Sequence, residues 1–190
     1  MTKIQSVRVA LISDTHGCWD SLLVGALNGI QELWHAGDLG SMSDAMEAWA
    51  VKNNVRLRIV TGNIDGLPWT SQYPKNQDFE IQGIRIWMTH IGGYPGHFPP
   101  HIRSGLAERR AEKALDVFVC GHSHILRVMR EANTHMICLN PGAVGTSGFH
   151  KVRTLLRFTI ESGRLEKMEA VELGPRSTKE ALSHLPNPYE

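Results

Sequence analysis

The side chains best suited to chemistry in this chain follow short apolar runs. "VALIS" leads into Asp14-Thr15-His16, "LWHAG" into Asp38, "RIVTG" into Asn63 and Asp65, "RIWMT" into His90, and "VFVCG" into His122-Ser123-His124. Carboxylates, imidazoles and an amide without thiolates are donors for a borderline or hard divalent ion such as manganese, iron or zinc. Seven ligands are more than one tetrahedral site with an open position can use. Two ions bridged by a carboxylate, roughly 3.5–4 Å apart, would use them all.

Each residue alone has a plainer explanation. Asp14 could cap a following helix, Asn63 and Asp65-Gly66 could form a turn, and Asp38-Leu39-Gly40 could be a loop before a helix capped by Ser41 or Ser43. A single strand-terminal histidine such as His90 is more often hydrogen-bonded than metal-bound. The joint pattern carries the argument, because in α/β sheets ligands bind beyond the carboxyl ends of the strands, where distant residues share one rim.

The elements that must position these residues alternate in type. "VRVALIS", a helical stretch over 18–29, "ELWHAG", a helical stretch over 42–53 and "VRLRIVTG" read as βαβαβ, with parallel strands and right-handed crossovers. Beyond residue 75, "QDFEIQGIRIWMTH" reads as a hairpin turning at Gln82-Gly83, and "HILRVMREANTHMICLN" as another near Ala132-Asn133. A helix is expected over roughly 103–115, after the Gly/Pro loop "IGGYPGHFPPH", and a last hairpin turns around Ser162-Gly163. Mixed strands with helices between them imply two packed sheets covered by helices. Residues 1–172 should form one domain, and 173–190 a polar tail that is partly disordered.

Composition narrows the function classes. The 190 residues are 42% apolar and 21% charged with a formal net charge of +1, which gives no global pull toward nucleic acid or membrane. The apolar stretch at 7–13 is interrupted by Arg8 and reads as a strand, and no run of 18 apolar residues occurs, so a cytoplasmic location is expected. Cys18, Cys120 and Cys138 form no CxxC pair and should be reduced, packed thiols. None is followed by Arg at the sixth position, which excludes a cysteine-dependent phosphatase, and GxSxG, P-loop and GxGxxG patterns are absent.

With these motifs in order, "DTH" at 14–16, "GD" at 37–38, "GNID" at 62–65, "TH" at 89–90, "GHSH" at 121–124 and "NPGA" at 140–143, the chain resembles the calcineurin-like metallophosphoesterase superfamily, in particular its small single-domain prokaryotic phosphodiesterases. The resemblance implies an α/β fold of four layers, α/β/β/α, a β-sandwich flanked by helices. It allots Asp14, His16 and His124 to one ion, Asn63, His90 and His122 to the other, and Asp38 to both. It implies two divalent ions, manganese first, with iron, zinc, nickel or magnesium as alternatives, and a small phosphoester as substrate. Asp38, Asn63 and His90 would act through the metals and in positioning the phosphate.

Two ions, two carboxylates and a bridging hydroxide leave the site about one positive charge, suited to a phosphate ester, and metal binding brings the pKa of water toward about 7 for in-line attack. Two departures from the wider pattern matter. Ile64 stands where larger phosphatases carry a leaving-group histidine, which favours diesters or activated esters unless His97 or His101 serves as acid. In "HIGG", His90 is followed by Ile91-Gly92-Gly93, where many small members carry a second histidine. The rival reading is a non-catalytic scaffold, as in a retromer subunit of this fold that has lost part of its ligand set. All seven ligand positions here carry competent residues, which favours the enzyme. Nucleic acid is not indicated, and homo-oligomerisation is left open.

Overall fold

The computed structural model describes residues 6–41 and 43–177, with the backbone alone at Ser43. Its first half is the expected alternation of β1 (Val7–Ile12), α1 (Ser21–Ala26), β2 (Glu32–His35), α2 (Ser43–Asn53) and β3 (Arg56–Ile59). The three strands pair in parallel, Leu11 beside Trp34 and Trp34 beside Arg58. The last hairpin, β9 (Val152–Glu161) and β10 (Arg164–Pro175), joins them antiparallel through β9 against β1, giving the order β10-β9-β1-β2-β3.

The second sheet holds β4 (Asn76–Ile81), β5 (Ile84–Thr89), β6 (Val117–Val119), β7 (Leu126–Arg130) and β8 (Ile137–Pro141), in the order β4-β5-β6-β8-β7. Its central strands β5, β6 and β8 are parallel, and its edges are the two expected hairpins. α3 (Trp69–Gln72) and α4 (Pro100–Glu112) complete the set.

Strand periodicity explains the layering. Val9 and Leu11 face the second sheet with Trp34, Ile86, Met88, Val117, Val119 and Phe158, while their neighbours Ala10 and Ile12 face the helical side with Leu23, Leu27 and Met46. On the outer face of the second sheet Trp87 and Phe118 pack against Ile102 and Leu106 of α4. The result is the expected α/β/β/α order. Trp34 is fully buried, and its ring meets Phe79 and Phe158 edge-on at 5.1 and 5.4 Å, one from each sheet.

Some boundaries differ from the sequence reading. α1 begins later than 18 because Asp20 is its cap, its side chain accepting from the Leu23 amide at 2.9 Å. α4 begins earlier than 103, since Pro100 occupies its first turn, where the missing N–H costs nothing. His101 therefore lies on a helix and not in a loop. β10 continues to Pro175, past position 173 where the tail was expected to start, and residues 178–190 lie outside the described residues. Among the described residues, no helix is long and apolar enough to cross a membrane.

Candidate metal centre

All seven expected ligands stand on one rim. Asp14 and His16 follow β1, Asp38 follows β2 and Asn63 follows β3, while His90 follows β5 and His122 and His124 follow β6. The first sheet thus supplies four and the second three. Asp14 and Asp38 are buried, His90 is buried, His16 and His124 are half-buried, and Asn63 and His122 are exposed.

Two clusters overlap at Asp14. In one, Asp14, His16 and His124 place donor atoms within 4.8 Å of each other, and so do Asp14, Asp38 and His90 in the second. His124 Nε2 lies 3.0 Å from Asp14 Oδ1 and 3.4 Å from His16 Nε2. His90 Nε2 lies 3.2 Å from Asp38 Oδ1 and 3.1 Å from Asn63 Oδ1. His122 stands at the edge, its ring 5.2 Å from that of His90, and its backbone N–H donates to Asp14 Oδ2 at 3.0 Å.

The surrounding hydrogen bonds fix which atoms face inward. His90 Nδ1 donates to the Ala36 carbonyl at 2.7 Å, which leaves Nε2 as the nitrogen aimed at the two oxygens. His150 repeats this logic for the other cluster. Its Nε2 donates to the Gly145 carbonyl at 3.1 Å, so its Nδ1 accepts from His124 Nδ1 at 3.1 Å and His124 Nε2 is left bare. Burial lowers the His150 pKa and keeps that ring neutral.

These residues fit a divalent cation. Asp14 Oδ1 is buried and makes no hydrogen bond of normal geometry, although His124 Nε2 is 3.0 Å away. A buried carboxylate oxygen without a donor is costly unless a cation faces it. Burial opposes charge on Asp38 and His90, but their mutual hydrogen bond and attraction outweigh it, lowering the Asp38 pKa and raising that of His90. The Asp38 carboxylate is thus favoured in its charged form, and a bound cation would take the place of the proton that His90 Nε2 shares with it.

Backbone geometry makes room for this crowding. A Cβ on Gly62 would stand 2.0 Å from Asp38 Oδ1, and one on Gly121 would stand 1.9 Å from Ser13 Oγ and 2.9 Å from Asp14 Oδ2. Gly121 therefore leaves room for the Ser13 and Asp14 side chains. His122 and His124 have φ of 67° and 56°, so the segment is a left-handed turn and not the extended backbone that would put residues two apart on one side. Between them, Ser123 Oγ accepts from Asn140 Nδ2 at 3.1 Å.

The remaining candidates separate. His101 lines a cavity together with Asn63 and His90, whereas His97 is exposed and packs on Tyr94 at 4.6 Å. Ile64 contributes its backbone N–H, donated to Asp38 Oδ1 at 3.1 Å. Gly92 has no room for a side chain, because a Cβ would meet Cys120 at 2.5 Å. The thiols are free, and burial pushes Cys120 and Cys138 up to about 12, far from nucleophilic use at neutral pH.

Sequence reasoning missed His150, His35 and the work of Asp65. His35 is wholly buried behind the rim, its Nε2 2.8 Å from Thr15 Oγ1 and its Nδ1 accepting from the Gly37 amide at 3.2 Å. Asp65 accepts from the amides of Leu39, Gly40 and Gly62 at 2.8, 3.2 and 2.7 Å. Its place in "GNID" was the available signal. His150 had none, since it follows no apolar run.

A search of curated proteins finds no match to this sequence. Among solved structures, a conserved uncharacterized protein from Streptococcus pneumoniae, described as a predicted phosphoesterase, is 21% identical over 90% of this chain and 92% of its own, with a TM-score of 0.61. Vps29 from Entamoeba histolytica complexed with zinc is 19% identical over 88% of this chain and 99% of its own, with a TM-score of 0.59. A novel archaeal phosphodiesterase is 18% identical over 87% and 99%, also with a TM-score of 0.59. At these identities the likeness is one of fold. The family model for the calcineurin-like phosphoesterase superfamily domain matches residues 7–163, a span that contains all seven expected ligands, and the chain belongs to that superfamily.

Proposed function

We propose that this protein is a metal-dependent phosphodiesterase with a dinuclear centre. Asp14, His16 and His124 would hold one ion, Asn63, His90 and His122 would hold the other, and Asp38 would serve both. The observation that supports this reading is the convergence of Asp14, His16, Asp38, His90 and His124 from both sheets, with Asp14 Oδ1 buried and unpartnered among them. Bound divalent ions, with manganese the first candidate, supply an activated water near neutral pH and positive charge to clamp phosphoryl oxygens during in-line displacement.

The chain's own residues do the rest. The Ala36 carbonyl and His150 set the tautomers of His90 and His124, and the Ile64 amide orients Asp38. Asn63 and His90 reach the edge of the cavity where a phosphoryl group would sit. His101 stands on that cavity's wall and is the better placed of the two candidate proton donors to a leaving oxygen. With isoleucine at position 64, diesters and activated esters are the favoured substrates.

The test measures bound metal and manganese-stimulated hydrolysis of bis(p-nitrophenyl) phosphate by the full chain. Metal should co-purify or bind, and turnover should follow it. Asp38→Asn should reduce turnover by at least about 100-fold, because that carboxylate serves both ions. Absence of both metal and turnover, with Asp38→Asn no less stable, would favour a scaffold of the same fold.

A further inference from the structure

A cavity of about 510 Å³ opens beside Asn63 and His90. Pockets of roughly 300–1,000 Å³ hold drug-sized ligands, so this space far exceeds the need of one phosphoryl group. Its lining combines the exposed Ile91 and the buried Trp87 and Ile102 with Lys75, Asn76 and Arg109, and among the described residues no carboxylate lines it. Gly105 lets α4 pack directly on Trp87, since a Cβ there would stand 2.8 Å from that ring.

The two cations in this wall are not equivalent. Arg109 is already satisfied, gripping both Asp78 oxygens at 2.6 and 2.7 Å and lying 4.0 Å over the Trp87 ring. Lys75 is exposed, and among the described residues no carboxylate lies within ion-pair distance of it. The cavity thus joins the metal-ligand rim at one end to an uncompensated positive charge on its wall, with an apolar and amide-bearing surface between them. A simple alkyl phosphate would leave all of that to water.

We propose that this cavity is a subsite for one ester arm of the substrate: a nucleoside-sized, ring-bearing arm that ends in a second anionic group facing Lys75. The substrate class is a small nucleotide-type phosphodiester. This rests on the phosphoesterase reading and adds to it a site that recognises the arm, whichever ester bond breaks. A ring packs against Ile91, the apolar side chain of this wall that is 40% exposed, Asn76 offers hydrogen bonds, and the ammonium supplies a charge-assisted contact to the far phosphate.

Isothermal titration calorimetry on the manganese-loaded full chain tests this with inorganic phosphate, methyl phosphate, thymidine 5′-phosphate and thymidine 3′,5′-bisphosphate. Kd should fall about tenfold from methyl phosphate to thymidine 5′-phosphate, and about tenfold again for the bisphosphate, the scale of one added contact per step. Lys75→Glu should abolish the second step and Lys75→Met should reduce it; both sit at an exposed position, and unchanged thermal melting would show that they fold. Equal Kd values for the last three probes, or a bisphosphate step that survives Lys75→Glu, would overturn the subsite. If that flat series came with phosphate binding and diester hydrolysis intact, only the subsite would fall. If neither phosphate binding nor hydrolysis occurred, the phosphoesterase reading would fall with it.

Discussion

Left-handed backbone is unfavourable for residues with a Cβ, yet Asp14, His16, Asp38, His122 and His124 hold φ of 54, 47, 58, 67 and 56°. Each sits where a strand stops and the chain must turn sharply to keep its side chain over the rim. The residue types were legible in the sequence because every one follows an apolar run. Their conformation was not, since strand periodicity says nothing about the first residue after the ladder ends. His122 and His124 show the difference: the pairing was readable from "GHSH", but a turn, not alternation along a strand, produces it. On the proposed reading, His122→Ala and His124→Ala should each lower kcat/KM for bis(p-nitrophenyl) phosphate by at least about 100-fold. Full activity in either variant would remove that residue from the ligand set.

Between strand and site lie the loops, and Asp65 ties two of them. It gathers amides from the segment after β2 and from the segment after β3, which carry Asp38 and Asn63. Asp65→Ala would strand three N–H groups, two of them beside a buried carboxylate, and should cost about 2–4 kcal/mol in urea unfolding, with weaker metal binding as a second readout. A change below about 0.5 kcal/mol, the level of an ordinary surface substitution, would mean the loops are held by other contacts. Strands and hairpins were readable because alternation is strong, as at Val9 and Leu11 against Ala10 and Ile12. α3 is only four residues long and offers no period to read, and the start of α4 was obscured by Pro99-Pro100, which read as loop although proline suits a first helical turn.

At the scale of the whole molecule, composition predicted a single layered core but no pH response, because His35 reveals itself only when buried. Its removal from water holds the ring neutral and lowers its pKa from 6.5 to about 3. The unfolded chain takes up a proton below about pH 6.5 that the folded chain refuses, so stability falls by about 1.4 kcal/mol per pH unit on acidification toward pH 3. The raised pKa of His90 works in the opposite sense: its contribution is complete below 6.5 and is lost as pH rises through the folded value. That of Asp38 is present above its unfolded pKa and is lost only as pH falls through its lowered folded value. The urea midpoint of metal-free protein should therefore peak near pH 6.5, and His35→Gln should flatten the acid limb. A midpoint that stays level from pH 6.5 to 4.5 would show that His35 does protonate in place.

The rim draws four donors from one sheet and three from the other, across a sandwich whose core is an apolar contact, with a few hydrogen bonds between the sheets such as Gln77 Nε2 to the Ile59 carbonyl at 2.9 Å. Apolar faces resist separation but tolerate sliding, since no single position of one face on the other is required by the hydrophobic effect. A cation gripped from both sides would act as a rivet through that seam. Displacing either sheet by one residue, about 3.3 Å along a strand, would pull its donors out of reach. On the proposed reading, chelation should loosen the sandwich where the rivet sits, and amide exchange should quicken at the carboxyl ends of β1 and β6 before it does at their amino ends.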